Sequence, residues 1–207
     1  MKLKLSIYDF DYTLYHGDSF TVFWLYSILR RPYIILLLPY QLFMGLLCLL
    51  RIISLSRFKE AFFCYVLFIG QKNFDKYVSR FWDKNRKRIY GWVKSRISEE
   101  KSDGFYLVCI SASPSFLLDS ITKELGFDLL ISSDYLIKNG NQTNRLVSPN
   151  CRDKEKVVRL ERWAKQSNTE YHIARFYSDS KSDLPLFNLA ESPYFVKNGK
   201  IIEGVPK

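Results

Sequence analysis

The chain is predicted to be an α/β protein: a parallel sheet covered by helices, with an all-helical block inserted after the first strand. Three observations lead to that class. An apolar, strand-like run occupies residues 3–8 at the very start. Strand candidates at 105–110, 127–131 and 173–177 then alternate with helical segments at 114–125, 153–165 and 182–190, the signature of strands joined by crossover helices. Between the two regions, residues 18–101 show helical periodicity and no strand alternation.

In chain order, residues 3–8 put Leu3, Leu5 and Ile7 on one face of a strand that ends at Asp9-Phe10-Asp11-Tyr12-Thr13. Open α/β sheets gather their ligands at the carboxyl ends of their strands, so this pentapeptide is placed in a crevice. The inserted block contains apolar segments at 20–29, 33–50 and 61–69 and an amphipathic stretch at 74–97. Its position over the strand ends suits a lid. The strand at 105–110 is followed by Ser111, and Ser113-Pro114 is expected to open a helix with a serine N-cap and proline at the first helical position. Residues 135–138, with Asn139-Gly140 after them, read as one arm of a hairpin. A short strand near 194–196 completes the sheet.

The 207 residues suffice for one core plus a small accessory unit. A net charge of +10, concentrated at 84–88 and more loosely through 72–101, favours anionic partners: phosphorylated substrates or acidic lipid headgroups. No zinc-finger, RNA-recognition or helix-turn-helix pattern is present, which argues against nucleic acid. Cys48, Cys64, Cys109 and Cys151 are widely spaced in apolar surroundings and are expected to be buried free thiols. With no signal-peptide pattern at the N-terminus, a cytoplasmic protein is expected.

Asp9 and Asp11 supply two carboxylates at alternate positions, suited to a nucleophile with a proton-handling partner and to a hard divalent cation. Acidic residues also form ordinary turns at strand ends. A calcium loop is excluded, because Leu14 stands where that loop needs glycine and Phe20 where it needs glutamate. Ser111, with the free N–H groups of the helix after it, fits a phosphate cradle. Asp179 and Asp183 follow the strand at 173–177, and their spacing suits a shared cation. Lys156 is placed to reach phosphate as a point charge, with Lys154 as its rival. Asp9, Ser111 and Asp179 all fall at the ends of predicted parallel strands, and this common location favours one joint site over separate turns and caps.

These motifs resemble the haloacid dehalogenase-like (HAD) hydrolase superfamily in its phosphoserine-phosphatase-like branch. Asp9 to Thr13 matches the family's DxDxT loop, Ile110-Ser111-Ala112-Ser113 its second motif, Cys151 to Val157 its lysine segment and Tyr177 to Asp183 its acidic fourth motif. The resemblance implies a three-layer HAD-like Rossmannoid core from residues 1–17 and 102–207, with 18–101 as a helical cap. It implies a phosphomonoesterase in which Asp9 is the nucleophile and Asp11 the general acid and base. Ser111, Ala112 and Lys156 would hold the phosphoryl oxygens. Asp9, Asp11 through its backbone carbonyl, Asp179 and Asp183 would bind Mg2+. Ser178 and Asp153-Lys154 depart from the family's usual Gly and Gly-Glu. Transfer of the phosphoryl group to an alcohol instead of water is equally compatible with these motifs.

Residues 33–50 carry no charge, and arginines flank them at 30, 31 and 51. A helix of that length spans ~27 Å, slightly less than a bilayer core. A single crossing is excluded if Asp9 and Ser111 share one compartment. The segment is therefore either a buried pair of cap helices or a re-entrant hairpin bent near Pro39 that dips into an anionic membrane. Arg30-Arg31-Pro32 before the apolar run, together with the lysine and acidic segments, is similar to type-C phosphatidylglycerophosphatases. That similarity implies a lipid phosphate substrate at the cytoplasmic membrane face. The alternatives are a soluble phosphoserine-type substrate and, in a different class, a non-catalytic membrane-associated interaction protein.

Overall fold

The computed structural model describes residues 2–206. Its centre is a six-stranded sheet built from β1 (Leu3–Tyr8), β2 (Tyr106–Pro114), β3 (Leu129–Ser133), β6 (Tyr171–Ser178), β7 (Ser192–Lys197) and β8 (Lys200–Glu203), in the order β3-β2-β1-β6-β7-β8. Every neighbouring pair is parallel except β7 with β8. Because β1 lies between β2 and β6, the chain leaves the sheet centre in both directions. The loops after these three strands therefore meet at one switch point.

Alternation along β1 serves both faces. Leu5 and Ile7 join a core with Leu160, Leu186 and Phe187 from α7 (Lys154–Gln166) and α8 (Leu184–Phe187). Tyr8 joins the opposite core, with Ile97 from α5 (Trp92–Ser102) and Leu117 and Ile121 from α6 (Ser115–Leu125). The result is three layers, helices on both faces of a mostly parallel sheet, as the alternating pattern predicted. Beneath Tyr8, the buried Glu100 accepts from the hydroxyls of Tyr8 and Tyr177 and from Arg175, so one carboxylate ties α5 to two strands.

The segment between β1 and β2 is helical: α1 (Ser19–Arg30), a 3-10 stretch Pro32–Leu37, α2 (Leu38–Leu49), α3 (Leu55–Phe62), a 3-10 stretch Phe63–Phe68, α4 (Phe74–Asn85) and α5. Asp18 caps α1 by accepting from the Thr21 N–H. The hairpin of β4 (Tyr135–Lys138) and β5 (Asn141–Leu146) grips this insertion, where the Asn144 side chain donates to the Glu60 carbonyl and the Leu146 N–H to the Glu60 carboxylate.

Two expectations need correction here. The helix after Ser111 does not open at Ser113. β2 runs on through Pro114, which is extended and makes no side-chain cap, and α6 starts at Ser115. The reason is competition for Ser113: its N–H donates to the Ser111 hydroxyl and its own hydroxyl donates to Asp11. Of the two alternatives left open for the apolar segment, a buried pair of cap helices does not form. Of Pro32–Leu49 only 11% is buried, and Leu36, Leu42, Phe43, Leu46 and Leu49 are all more than half exposed. Gln41, its one strongly polar side chain, is instead turned inward and donates to the Phe62 carbonyl of α3. The second correction concerns the cysteines: all four are free and Cys109 and Cys151 are buried as expected, but Cys48 on α2 and Cys64 in the second 3-10 stretch are only half-buried.

Candidate active site

Three strand ends build one pocket of about 320 Å³. Asp9 and Asp11 come from the end of β1, Ser111 and Ala112 from β2, and Asp179, Ser180 and Asp183 from the turn after β6. Lys156 enters from the first turn of α7. The backbone sets this convergence, since the Asp9 N–H donates to the Tyr177 carbonyl at 2.9 Å and continues the β1–β6 ladder into the site. Thr13 then links the two loops: its hydroxyl accepts from the Asp179 N–H at 3.0 Å and donates to Asp179 Oδ1 at 3.2 Å.

Lys156 is buried, with its ammonium 3.1 Å from Asp9 Oδ1 and 2.7 Å from Asp183 Oδ2, whereas Lys154 is exposed at the start of α7. Burial pulls the Lys156 pKa down, but Asp9 and Asp183 outweigh it, so the ammonium stays charged. Burial pushes Asp9 up to about 8; Lys156 opposes that rise, and Asp183, Asp179 and Asp11 add to it. Burial, opposed in part by the Thr13 hydrogen bond, also raises Asp179. One oxygen of Asp183 accepts from Lys156 and the Ser178 hydroxyl, while the other is buried without a hydrogen-bond partner.

Three carboxylates facing one lysine leave this corner over-supplied with negative charge, and a buried carboxylate oxygen has no donor. A hard, oxygen-seeking divalent cation fits such a donor set. Among the described residues no three acidic, histidine or cysteine side chains already converge at metal-binding distance, and the Lys156 ammonium bridges Asp9 and Asp183.

Asp11 is held apart from this cluster. Its Oδ1 accepts from the Ser19 N–H at 2.7 Å and its Oδ2 from the Ser113 hydroxyl. Burial, with the Asp18 charge beside it, lifts its pKa to about 6, while the Ser113 and Ser19 hydrogen bonds restrain the rise. A carboxyl group near 6 exchanges protons readily at neutral pH. Environment thus divides the two aspartates of the pentapeptide.

The structure also brings in residues that sequence reasoning missed. Lys59 reaches down from α3, and its ammonium donates to the Ala112 carbonyl and to Asn150 Oδ1, both at 2.8 Å. An ammonium has three donors, so one N–H remains for a pocket ligand. Burial lowers its pKa to about 8, against the pull of Asp11 and Asp18. Arg152 and Asp18 complete the charged rim. No local pattern separates Lys59 from Arg57 in the sequence. Asn150 was equally hidden, and so was the tie from Ser113 to Asp11, because the partners lie about ninety or more residues away.

A family model described as haloacid dehalogenase-like hydrolase matches residues 7–188. The chain belongs to the haloacid dehalogenase-like hydrolases. Solved structures agree on the HAD fold. A Bordetella pertussis Tohama I protein of unknown function superposes with a TM-score of 0.76 at 20% identity, covering 93% of this chain and 89% of that one. A phosphoserine phosphohydrolase-like protein from Francisella tularensis gives 0.60 at 16% identity, covering 92% and 86%. A phosphoserine phosphatase bearing a phospho-aspartyl intermediate analogue gives 0.54 at 18% identity, covering 93% and 86%. No curated protein sequence matches this HAD hydrolase.

Proposed function

We propose that this HAD hydrolase is a magnesium-dependent phosphomonoesterase working through an aspartyl-phosphate at Asp9, with a lipid phosphate as substrate. The observation that carries the chemistry is the division between Asp9 and Asp11. Asp9 lies in the pocket against Lys156, Asp179 and Asp183, while Asp11 is held separately by Ser19 and Ser113. Nucleophile and proton carrier are thereby kept distinct. Asp9 attacks phosphorus; Asp11 gives its proton to the leaving oxygen and then takes one from the attacking water. Ser111, the Ala112 backbone and Lys156 hold the equatorial oxygens, where most of the charge resides. Asp9, the Asp11 carbonyl and Asp179, with Asp183 behind them, would hold Mg2+, whose positive charge would offset that of the phosphoryl oxygens and favour the ionised form of Asp9.

The lipid assignment rests on the path from α2 to the pocket. Through Gln41, α2 is tied to the end of α3, and Leu55 and Lys59 of α3 line the catalytic pocket. The outward apolar face of residues 33–50 would rest in one leaflet, with residues 18–101 as the cap over the site. Asp9→Asn should abolish release of phosphate from an aryl phosphate, and chelation should silence the parent reversibly. Equal turnover by mutant and parent sinks the proposal.

A further inference from the structure

A second basic pocket, of about 250 Å³, opens beside the apolar segment and shares no lining residue with the catalytic one. Arg31 enters it from the C-terminal end of α1, and Lys76, Tyr77 and Arg80 from α4. Asp75 of the same helix faces neighbouring pockets instead. Among the described residues, Arg31, Lys76 and Arg80 form no ion pair. Lys76 and Arg80 stand four apart on α4, a like-charge spacing that weakens a helix unless an anion lies between them. Arg31 lies over the Tyr77 ring, 5.9 Å from its centroid, and hydrogen-bonds only through Nη1, to the Tyr33 hydroxyl at 2.8 Å and the Phe68 carbonyl at 3.4 Å, so Nε and Nη2 keep their N–H groups for a ligand.

Those two partners place the pocket on the border of the apolar face. Tyr33 donates to the Phe68 carbonyl at 2.9 Å, and Tyr33, Leu36, Leu67 and Phe68 beside it are about half exposed or more. Cations without an acidic partner, bordering exposed apolar side chains, match the chemistry of a phospholipid, whose phosphate lies just outside its acyl chains. We infer that the Arg31–Lys76–Arg80 pocket is a docking site for the phosphate headgroup of an anionic bilayer lipid, separate from the substrate site. It rests on the proposed membrane contact of residues 33–50, and it would fix the height and tilt at which the cap meets the surface.

The test is co-sedimentation of the full chain with phosphatidylcholine vesicles, pure or containing about one-third phosphatidylglycerol. Lys76→Gln/Arg80→Gln should weaken binding to the anionic vesicles roughly 30-fold, from ~1 kcal/mol for each basic residue near a charged surface. The same two-charge change on α7, Arg162→Gln/Lys165→Gln, should shift it less than about twofold. Both variants should hydrolyse a soluble aryl phosphate like the parent, a readout that reports on the catalytic proposal alone. Three results would overturn the docking site: unchanged anionic binding by the α4 variant, an equal loss in the α7 variant, or no vesicle binding by the parent.

Discussion

Replacing Asp11 with asparagine tests the proton-carrier role while sparing the local geometry. The amide oxygen still accepts the Ser19 N–H, and the amide nitrogen donates to the Ser113 hydroxyl where the carboxylate had accepted from it. What disappears is a group with a pKa near 6 that gives and takes a proton. Positioned general acid–base groups contribute ~10²- to 10⁴-fold, or about 3–5 kcal/mol of barrier. With an alkyl phosphate the leaving alkoxide needs that proton, so kcat should fall by the full factor. With p-nitrophenyl phosphate the leaving phenolate needs none, so Asp9 should still be phosphorylated, and hydrolysis of the aspartyl-phosphate should become the slow step. Rapid-mixing kinetics should then show one equivalent of nitrophenol released in a burst, followed by slow turnover. No burst, together with equal losses on both substrates, would refute the assignment of Asp11.

Asp9→Asn should also change the pH dependence of stability. The folded carboxyl titrates near 8 against an ordinary 3.8, so between these values the folded state holds the extra proton and stability falls as pH rises. Thermal melts of the metal-free proteins should therefore favour the asparagine variant increasingly from pH 5 to 8, and added Mg2+ should narrow the gap; parallel curves would contradict this. Lys59→Met should raise KM about 10- to 100-fold, as expected for one lost charged hydrogen bond. It should also remove a decline of kcat/KM above pH 8 that the parent owes to deprotonation of Lys59. Asp153 sits at φ 52° and ψ −129° before α7, a conformation that strains a residue with a Cβ. Asp153→Gly should stabilise by about 1 kcal/mol, since relief of strain exceeds the added chain entropy; a lower unfolding midpoint in denaturant would contradict it.

By itself the sequence determined the layered α/β class, the strand that ends at Asp9 and the acidic turn at Asp179, because each is carried by a period or motif within a few residues. The same locality explains where it failed. Ser113-Pro114 has the local form of a helix start, yet Ser113 was claimed by Asp11, 102 residues away. The tertiary structure alone decided that Lys156 is buried between Asp9 and Asp183 while Lys154 is left to solvent. It also brought Lys59 down onto Ala112 and Asn150. Most tellingly, it turned Gln41 inward and the leucines around it outward. An unbroken apolar run has no period to mark which side faces the protein, so only the packing of α2 on α3 could set it.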